Sequence, residues 1–144
     1  MQVLFEMDSN PDASVKIFRL TTVPLSLVVL LKGQTGYVKS RGFNVVTASS
    51  PGSEVKEIIN DERVPHFPFP LTRAMTPWTD IKVLIQLIQF LYKENFTIVH
   101  THTPKAGLIG MIAAFLAGVP IRLHTVAGLP EMEAKGGLKF LLRL

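Results

Sequence analysis

The sequence predicts an α/β domain of the Rossmann-like, three-layer αβα kind, in which helices cover both faces of a parallel β-sheet. Five short apolar segments alternate with four segments of helical character, and this alternation is typical of parallel sheets with right-handed crossovers. Hydroxyl and basic side chains follow the strand segments, as expected at the carboxyl edge of such a sheet, where ligands bind. Proline and glycine mark helix starts and ends.

Composition fits a folded domain and excludes several classes of protein. The 144 residues are 47% hydrophobic and 18% charged, which argues against disorder and fits one domain. The absence of cysteine excludes disulfides and thiolate metal sites and is consistent with a cytoplasmic location. The net charge of +4 is either an ordinary basic surface or attracts phosphates or an anionic membrane. The sequence contains no run of basic residues interleaved with aromatics, which is the pattern that would indicate nucleic-acid binding. No apolar run reaches the roughly 20 residues of a membrane span.

The first half of the domain predicts two strands and two helices. Residues 15–20 alternate apolar and polar side chains before a Thr-Thr-Val-Pro turn, which predicts a strand. Residues 25–39 predict a helix with Gly42 as its left-handed cap and an irregular start caused by two internal glycines. Residues 43–48 predict the second strand. Ser53 is expected to cap a short helix over 54–60.

The next segment predicts an edge strand and the longest helix. Three prolines interrupt residues 64–69, and proline confines a strand to a sheet edge. Thr76 is expected to cap a helix that begins at Pro77 and ends near Asn95. We predict the buried face of this helix from apolar side chains at helical spacing. These are Ile81, Leu84, Ile85, Ile88, Leu91 and Tyr92.

The last segments predict two more strands around a helix of small residues. Residues 97–100 and 121–126 predict strands, and Thr103 is expected to cap a helix that begins at Pro104 and ends before Gly118. A face of small side chains should let this helix lie close to the sheet; its members are Ala106, Gly110, Ala113, Ala114 and Ala117. Residues 1–14 are expected to form a loose tail. Residues 138–144 are expected to begin a basic amphipathic helix that belongs to the core or touches a membrane.

The candidate site gathers at the carboxyl edge of the predicted sheet. His100 and His102 lie two apart on an extended segment, so their side chains should point the same way. A metal pair is possible, but no third ligand is evident. We expect His100 to be partly buried and hydrogen-bonded and His102 to lie at the rim. His66 lies among prolines, and we assign no role to it.

Lys105 and His124 each have an ordinary and a functional interpretation. Lys105 lies in the first turn of a helix, where a positive charge is unfavourable. It therefore either extends into solvent or, with the helix end, faces an anion such as a phosphate. His124 is either a satisfied strand histidine or a donor to substrate or to developing charge.

Several catalytic motifs are absent from the 144 residues. The turn after the first strand is Thr-Thr-Val-Pro rather than the glycine-rich dinucleotide fingerprint. Neither a P-loop, a G-x-S-x-G elbow nor an H-E-x-x-H helix occurs. The residues alone therefore predict a Rossmann-like domain with a polar rim and without a complete catalytic set.

Six segments carry a resemblance to a known family. They are residues 17–26 (IFRLTTVPLS), 31–34 (LKGQ), 49–52 (SSPG), 71–77 (LTR with TP), 98–107 (IVHTHTPKAG) and 117–130 (AGVPIRLHTVAGLP). With these segments the chain resembles the amino-terminal domain of GT-B glycosyltransferases of family 4, in the branch that builds bacterial capsular polysaccharide and lipopolysaccharide. On this resemblance residues 15–144 are the acceptor-side lobe, and the carboxyl-terminal donor-binding lobe, with its paired glutamates, lies outside the sequence.

The resemblance also implies chemistry and partners. It implies a retaining, metal-independent transferase without a cofactor, whose co-substrate is a sugar nucleotide and whose acceptor is a lipid-linked saccharide. The lone lobe is then expected to be inactive, located in the cytoplasm or at the inner face of the membrane, and able to form a homodimer. His124 matches the family's rim histidine, which makes it the catalytic candidate. The candidates for binding acceptor or phosphate are Thr22, Gly33, His102, Lys105, Thr125 and Gly128.

Two alternatives remain at this point. One is half of a UDP-sugar 2-epimerase, which shares the two-lobed design. The other is a non-catalytic module that binds sugars or phosphates.

Overall fold

A computed structural model describes residues 15–126, which form a five-stranded parallel sheet in the order β3-β2-β1-β4-β5 with helices on both faces. The strands are β1 Lys16–Leu20, β2 Asn44–Ser49, β3 His66–Pro68, β4 Ile98–Thr101 and β5 Ile121–His124. The helices are α1 Pro24–Leu30, α2 Gln34–Ser40, α3 Val55–Glu62, α4 Pro77–Glu94 and α5 Pro104–Leu116. The predicted fold class and the edge position of β3 are confirmed. The predictions for 1–14, Gly128 and 138–144 fall outside the described residues.

Side chains of β1 alternate between two apolar cores, one on each face of the sheet. Ile17 packs with Leu27 and Leu31 from the α1 side and with Ile58 of α3. Phe18 and Leu20 pack on the opposite face, in a larger core to which α4 and α5 contribute. Because both faces of β1 and β2 are covered, these strands are apolar or buried almost throughout, as parallel strands usually are.

The sheet order places a crevice at the carboxyl end of β1. Strand β1 pairs with β2 on one side and with β4 on the other, so that Phe18 lies between Val46 and Val99. The chain therefore changes its winding direction between β1 and β4. In open α/β sheets this switch point is where ligands bind.

The predicted single helix over 25–39 is wrong, because the structure has two short helices. The first ends at Leu30, and Gly33 then takes a left-handed conformation (φ 74°) before the second begins. The carboxylate of Glu62 accepts hydrogen bonds from the backbone N–H groups of Gly33 at 2.6 Å and Gly36 at 2.5 Å. A side chain from α3 thus satisfies the donors that the new helix start exposes. Gly42 has the predicted positive φ, 91°.

The predicted buried face of α4 is partly wrong. The fully buried residues are Val83, Leu87 and Leu91, whereas Ile81, Ile85 and Tyr92 of the predicted face are exposed. Because α4 carries apolar side chains around most of its circumference, periodicity alone does not select the side that faces the sheet. By contrast, the small-residue face of α5 is confirmed, since Ala106, Gly110, Ala113 and Ala114 are all buried.

The predicted caps are correct in position at two helices, but their hydroxyls bond elsewhere. Thr76 and Thr103 are the N-cap residues of α4 and α5, and neither makes a side-chain cap hydrogen bond. Thr76 instead donates from Oγ1 to Asp80 Oδ1 at 3.0 Å. The predicted Ser53 cap is wrong, because Glu54 is the N-cap residue of α3. The hydroxyls of Thr76 and Thr103, rather than capping their helices, connect segments at the carboxyl edge of the sheet.

Gly110 is expected to be intolerant of alanine. An added Cβ would lie 2.7 Å from Thr101 Cγ2 and 2.8 Å from Leu20 Cδ2, and overpacking a core costs about 1–3 kcal/mol. We therefore expect Gly110→Ala to lower the free energy of unfolding, although alanine favours a helix by up to about 1 kcal/mol. Urea unfolding would measure the change. Thr101→Ser removes the clashing methyl, so the penalty should shrink in that background; an equal penalty in both backgrounds would contradict the packing argument.

Candidate functional site

Of the predicted site residues that the structure describes, all but Gly33 lie at the carboxyl edge of the sheet, where they are divided among separate clusters. Thr22 lies at the switch point and His124 on the side of the sheet that α5 covers. His102 and Thr125 lie with His100 on the opposite side, as the side-chain contacts below show. Lys105 is directed away from both, toward the loop before α4. Gly33 is farther out, at the start of α2.

Two threonines bridge the switch point. The backbone N–H of Thr22 donates to Thr103 Oγ1 at 3.0 Å, and the two hydroxyls are 2.7 Å apart. The β1–α1 loop and the β4–α5 loop are thereby joined across the crevice between β1 and β4. Thr22 is buried, so its hydroxyl is committed to this bridge in the described structure, and its predicted role in binding stays a prediction.

His124 is held by two features of neighbouring elements. Its Nδ1 lies 2.8 Å from Thr101 Oγ1, a hydrogen bond that fixes the ring. Its ring also rests on Gly107 in the first turn of α5, where an added Cβ would come within 2.8 Å of Nδ1. Glycine is therefore required at 107 for the observed position of the imidazole. Because Thr101 occupies Nδ1, Nε2 is the ring nitrogen that remains for a substrate.

His100 and His102 lie on the other side of the sheet. Their ring centroids are 4.0 Å apart, which confirms that the two side chains point the same way. His100 Nε2 lies 2.8 Å from Thr125 Oγ1, and this confirms the prediction of a partly buried, hydrogen-bonded ring. His102 is more deeply placed than predicted, with 3% of its surface exposed.

Arg19 completes this cluster and was missed by the sequence analysis. It pairs in register with His100 and is 7% exposed. Within the described residues Nη1 donates to Thr35 Oγ1 at 3.4 Å, while Arg19 Nε and His102 Nε2 are buried without a hydrogen-bond partner. Buried polar atoms of this kind are rare. The sequence feature that could have identified Arg19 is its position as an arginine inside a strand predicted to be covered on both faces.

Burial sets the protonation state of the cluster. Burial, then His100, Arg19 and His124 lower the pKa of His102 to about 3. Burial and the charges of Arg19 and His124 also lower the pKa of His100. Burial lowers the pKa of Arg19, an effect that the nearby Glu62 opposes. Both imidazoles are therefore neutral near pH 7 beside a buried guanidinium, an arrangement that favours an incoming anion.

Lys105 does not extend into solvent, which was one of its two interpretations. Its Nζ lies 2.7 Å from Asp80 Oδ1, and both side chains are largely buried. It also donates to Thr72 Oγ1 at 3.0 Å, Thr76 Oγ1 at 3.3 Å and the carbonyl of Ala74. The expectation of a solvent-exposed ammonium is wrong, because α4 supplies a carboxylate that the local sequence around Lys105 does not reveal. Contact of Lys105 with a phosphate stays a prediction.

His66, to which the sequence assigned no role, is a buried strand histidine. Its Nδ1 lies 3.1 Å from Thr47 Oγ1, and its Nε2 lies 3.3 Å from Ser49 Oγ. Burial lowers its pKa to about 4. Two hydroxyls of β2 therefore hold a neutral ring at the sheet edge. Within residues 15–126, no three His, Asp or Glu side chains converge as metal ligands would.

Comparison with known proteins gives consistent matches. A family model described as "Glycosyl transferase 4-like" matches residues 25–143. Over 129 residues the chain is 40% identical to the capsular polysaccharide biosynthesis glycosyltransferase CapM of Staphylococcus aureus, which covers 90% of the chain and 33% of the relative. Over 86 residues it is 49% identical to the Escherichia coli UDP-Gal:alpha-D-GlcNAc-diphosphoundecaprenol alpha-1,3-galactosyltransferase. This match covers 60% of the chain and 22% of the relative. The chain thus spans a third or less of these relatives.

Solved structures agree on the fold. A glycosyltransferase from Rickettsia africae superposes with a TM-score of 0.65 at 18% identity, over 81% of this chain and 31% of that one. A UDP-N-acetylglucosamine 2-epimerase superposes with a TM-score of 0.61 at 13% identity, over 89% of this chain and 34% of that one. At such identities the likeness shows a shared fold alone.

Proposed function

Because the chain belongs to the glycosyl transferase 4-like family, we propose that it is the acceptor-side lobe of a retaining, sugar-nucleotide-dependent glycosyltransferase of bacterial surface polysaccharide synthesis. The observation that carries this proposal is His124 at the carboxyl end of β5, oriented by Thr101 and seated on Gly107. Transfer then needs a second lobe that binds the sugar nucleotide. The chain matches a third or less of each relative, which leaves room for such a lobe.

His124 can serve transfer in either neutral tautomer. If Nδ1–H donates to Thr101, Nε2 is an acceptor for a sugar hydroxyl; if Nδ1 accepts, Nε2–H donates to a phosphate oxygen of the leaving nucleotide, which gains negative charge as its bond to the sugar breaks. The ring is fixed in both cases before substrate arrives. Such preorganisation is what a group needs to stabilise a transition state more than the ground state.

The Arg19–His102 pair is the second part of the proposed site. A buried guanidinium that makes one long hydrogen bond within residues 15–126 favours a charged partner, and a phosphate or carboxylate of the acceptor supplies one. Thr125 and His100 lie beside it and can orient sugar hydroxyls. The E. coli relative acts on a diphosphoundecaprenol-linked sugar, which motivates a lipid-linked acceptor with phosphates for this chain as well. No cofactor or metal is part of the proposal.

A chimera tests the proposal. The chain would replace the matched segment of the S. aureus relative, and transfer from nucleotide sugars to a lipid-linked acceptor would be measured. We expect transfer by the chimera and none by the 144-residue chain alone. We also expect His124→Ala and Gly107→Ala each to lower kcat about 100-fold, a typical loss for one stabilising group.

The double variant shows whether Gly107 acts through His124. If alanine at 107 only displaces the imidazole, it should add little further loss once His124 is alanine, because coupled residues are non-additive. If the fold-loss in kcat of the double variant equalled the product of the two single fold-losses, Gly107 would have a role separate from His124. Full activity of the His124→Ala chimera would overturn the assignment of the site, and tight UDP binding by the isolated chain would overturn the acceptor-side assignment.

A further inference from the structure

The outer surface of α4 and α5 exposes an unusual number of large apolar side chains. We call it the α4–α5 surface; its members are Trp78, Ile81, Ile85, Tyr92, Leu108, Ile112, Phe115 and Leu116. Trp78 is 82% exposed and Phe115 67% exposed. Contiguous apolar patches of this kind are uncommon on water-facing surfaces and mark interaction sites.

Helical spacing brings these residues into one strip on each helix. Trp78, Ile81, Ile85 and Tyr92 follow steps of three, four and seven residues, so they project from one side of α4. Leu108, Ile112 and Phe115 do the same on α5, which packs against α4 in the same layer. The strip on α4 is roughly 20 Å long at 1.5 Å per residue. The two strips form a broad face on the opposite side of this layer from the sheet.

The charges around the α4–α5 surface are mainly positive. The exposed side chains of Lys82 and Lys93 lie on α4, and that of Arg73 lies just before it. Arg122 places its guanidinium 5.5 Å from the centre of the Phe115 ring. The acidic residues of α4 are paired, Asp80 with Lys105 and Glu94 with Lys16, and α5 contains no acidic residue.

We propose that the α4–α5 surface binds an anionic lipid bilayer. An apolar centre with a basic margin is complementary to acyl chains flanked by anionic headgroups. Trp78 and Tyr92 at the two ends of the strip are the residue types that prefer the headgroup region. No helix within residues 15–126 is both long and apolar enough to cross a membrane, so the contact lies in the plane of the interface.

A groove between the two helices supports this proposal. It has a volume of about 240 Å³, and most of its lining is apolar, including Met75, Leu84 and Ile109. The Lys105–Asp80 ion pair also lines it. The groove can accept part of an acyl or isoprenyl chain from the bilayer. The proposal concerns a surface different from the His124 site and does not depend on transferase activity.

Trp78 is a built-in reporter, because it is the only tryptophan in the sequence. We would add vesicles of phosphatidylglycerol and phosphatidylcholine to the 144-residue chain and record Trp78 emission. We expect a blue shift, quenching by bromine-labelled acyl chains, and weaker binding to phosphatidylcholine alone or at high salt. Emission that does not respond while the chain sediments with vesicles would overturn the proposal, because another segment would then be the membrane contact.

Matched variants locate the contact. Ile85→Glu and Leu108→Glu place a carboxylate at exposed positions of the α4–α5 surface and are expected to weaken vesicle binding at least about tenfold. Val29→Glu is the control, since Val29 is 67% exposed on α1, across the sheet, and should leave binding unchanged. Circular dichroism would confirm folding of all three. Equal binding by the first two variants and the control would overturn the assignment.

A second copy of the chain is the competing occupant. It predicts a blue shift of Trp78 that grows with protein concentration in the absence of lipid, together with a dimer in sedimentation. That result without any response to vesicles would overturn the membrane proposal.

Discussion

Replacing Lys105 with methionine is expected to lower the free energy of unfolding by about 3 kcal/mol. The substitution removes the ammonium and leaves Asp80, whose side chain is 14% exposed, without its charged partner. Breaking one side of a buried ion pair typically costs about 3–5 kcal/mol, and residual exposure places this case at the low end. Burial alone would raise the pKa of Asp80, but hydrogen bonds from Lys105 and Thr76 and the Lys105 charge outweigh it and lower the pKa.

Denaturant unfolding of four proteins would test this. Asp80→Asn in the Lys105→Met background should recover much of the loss, because the uncompensated charge is gone. Lys82→Met is the control for removal of a lysine, since Lys82 is exposed on α4, and surface changes usually stay within about 0.5 kcal/mol. If Lys105→Met and Lys82→Met had equal effects, the ion pair would not stabilise the fold. A role of Lys105 in binding would then have to be sought separately.

Acidification from pH 7.5 to pH 5 is expected to destabilise the domain by about 4 kcal/mol. His66 and His102 have pKa values lowered to about 4 and about 3 in the folded chain, from an ordinary value of 6.5. Between these limits the unfolded chain binds protons that the folded chain does not. The stabilisation is therefore present above pH 6.5 and is lost as the pH falls, at about 2 kcal/mol for each histidine by pH 5.

Two measurements would check the pH dependence. Urea unfolding at pH 7.5 and 5.0 should give different free energies of unfolding for the natural chain, and His66→Asn and His102→Asn should each reduce that difference by about 2 kcal/mol. Nuclear magnetic resonance of the two imidazoles in the folded chain should show no titration between pH 5 and 8. Titration of either ring near pH 6.5 would contradict the proposal that burial lowers its pKa and causes the pH dependence.

Sequence patterns predicted the fold well because they report local preference. Strand and helix order follows from periodicity, and Pro77 and Pro104 mark helix starts without help from tertiary contacts. The division of the predicted helix into two at Gly33 was predicted only as an irregular helix start, because the carboxylate of Glu62 that stabilises it comes from another helix. The buried side of α4 was misjudged because its outer side is also apolar. That second apolar side is the one now proposed to contact lipid.

The site was predicted less completely, since its chemistry depends on side chains from distant segments. The pattern placed His100 and His102 together but could not show that Arg19 lies beside them. It placed Lys105 at a helix start but could not show that Asp80 neutralises it. Resemblance to the family selected His124, whereas its support by Thr101 and Gly107 became visible only in three dimensions.

The bridge between Thr22 and Thr103 has a consequence for synthesis of the chain. The two residues are 81 positions apart, and the pairing of β1 with β4 spans a similar distance. At typical ribosomal speeds, β1 therefore waits roughly 4–16 s with one edge unpaired while β2, β3 and α4 emerge. During that interval a strand with three buried apolar side chains, Ile17, Phe18 and Leu20, is open to pairing with another nascent chain, so chaperone demand should peak before residue 101 leaves the ribosome.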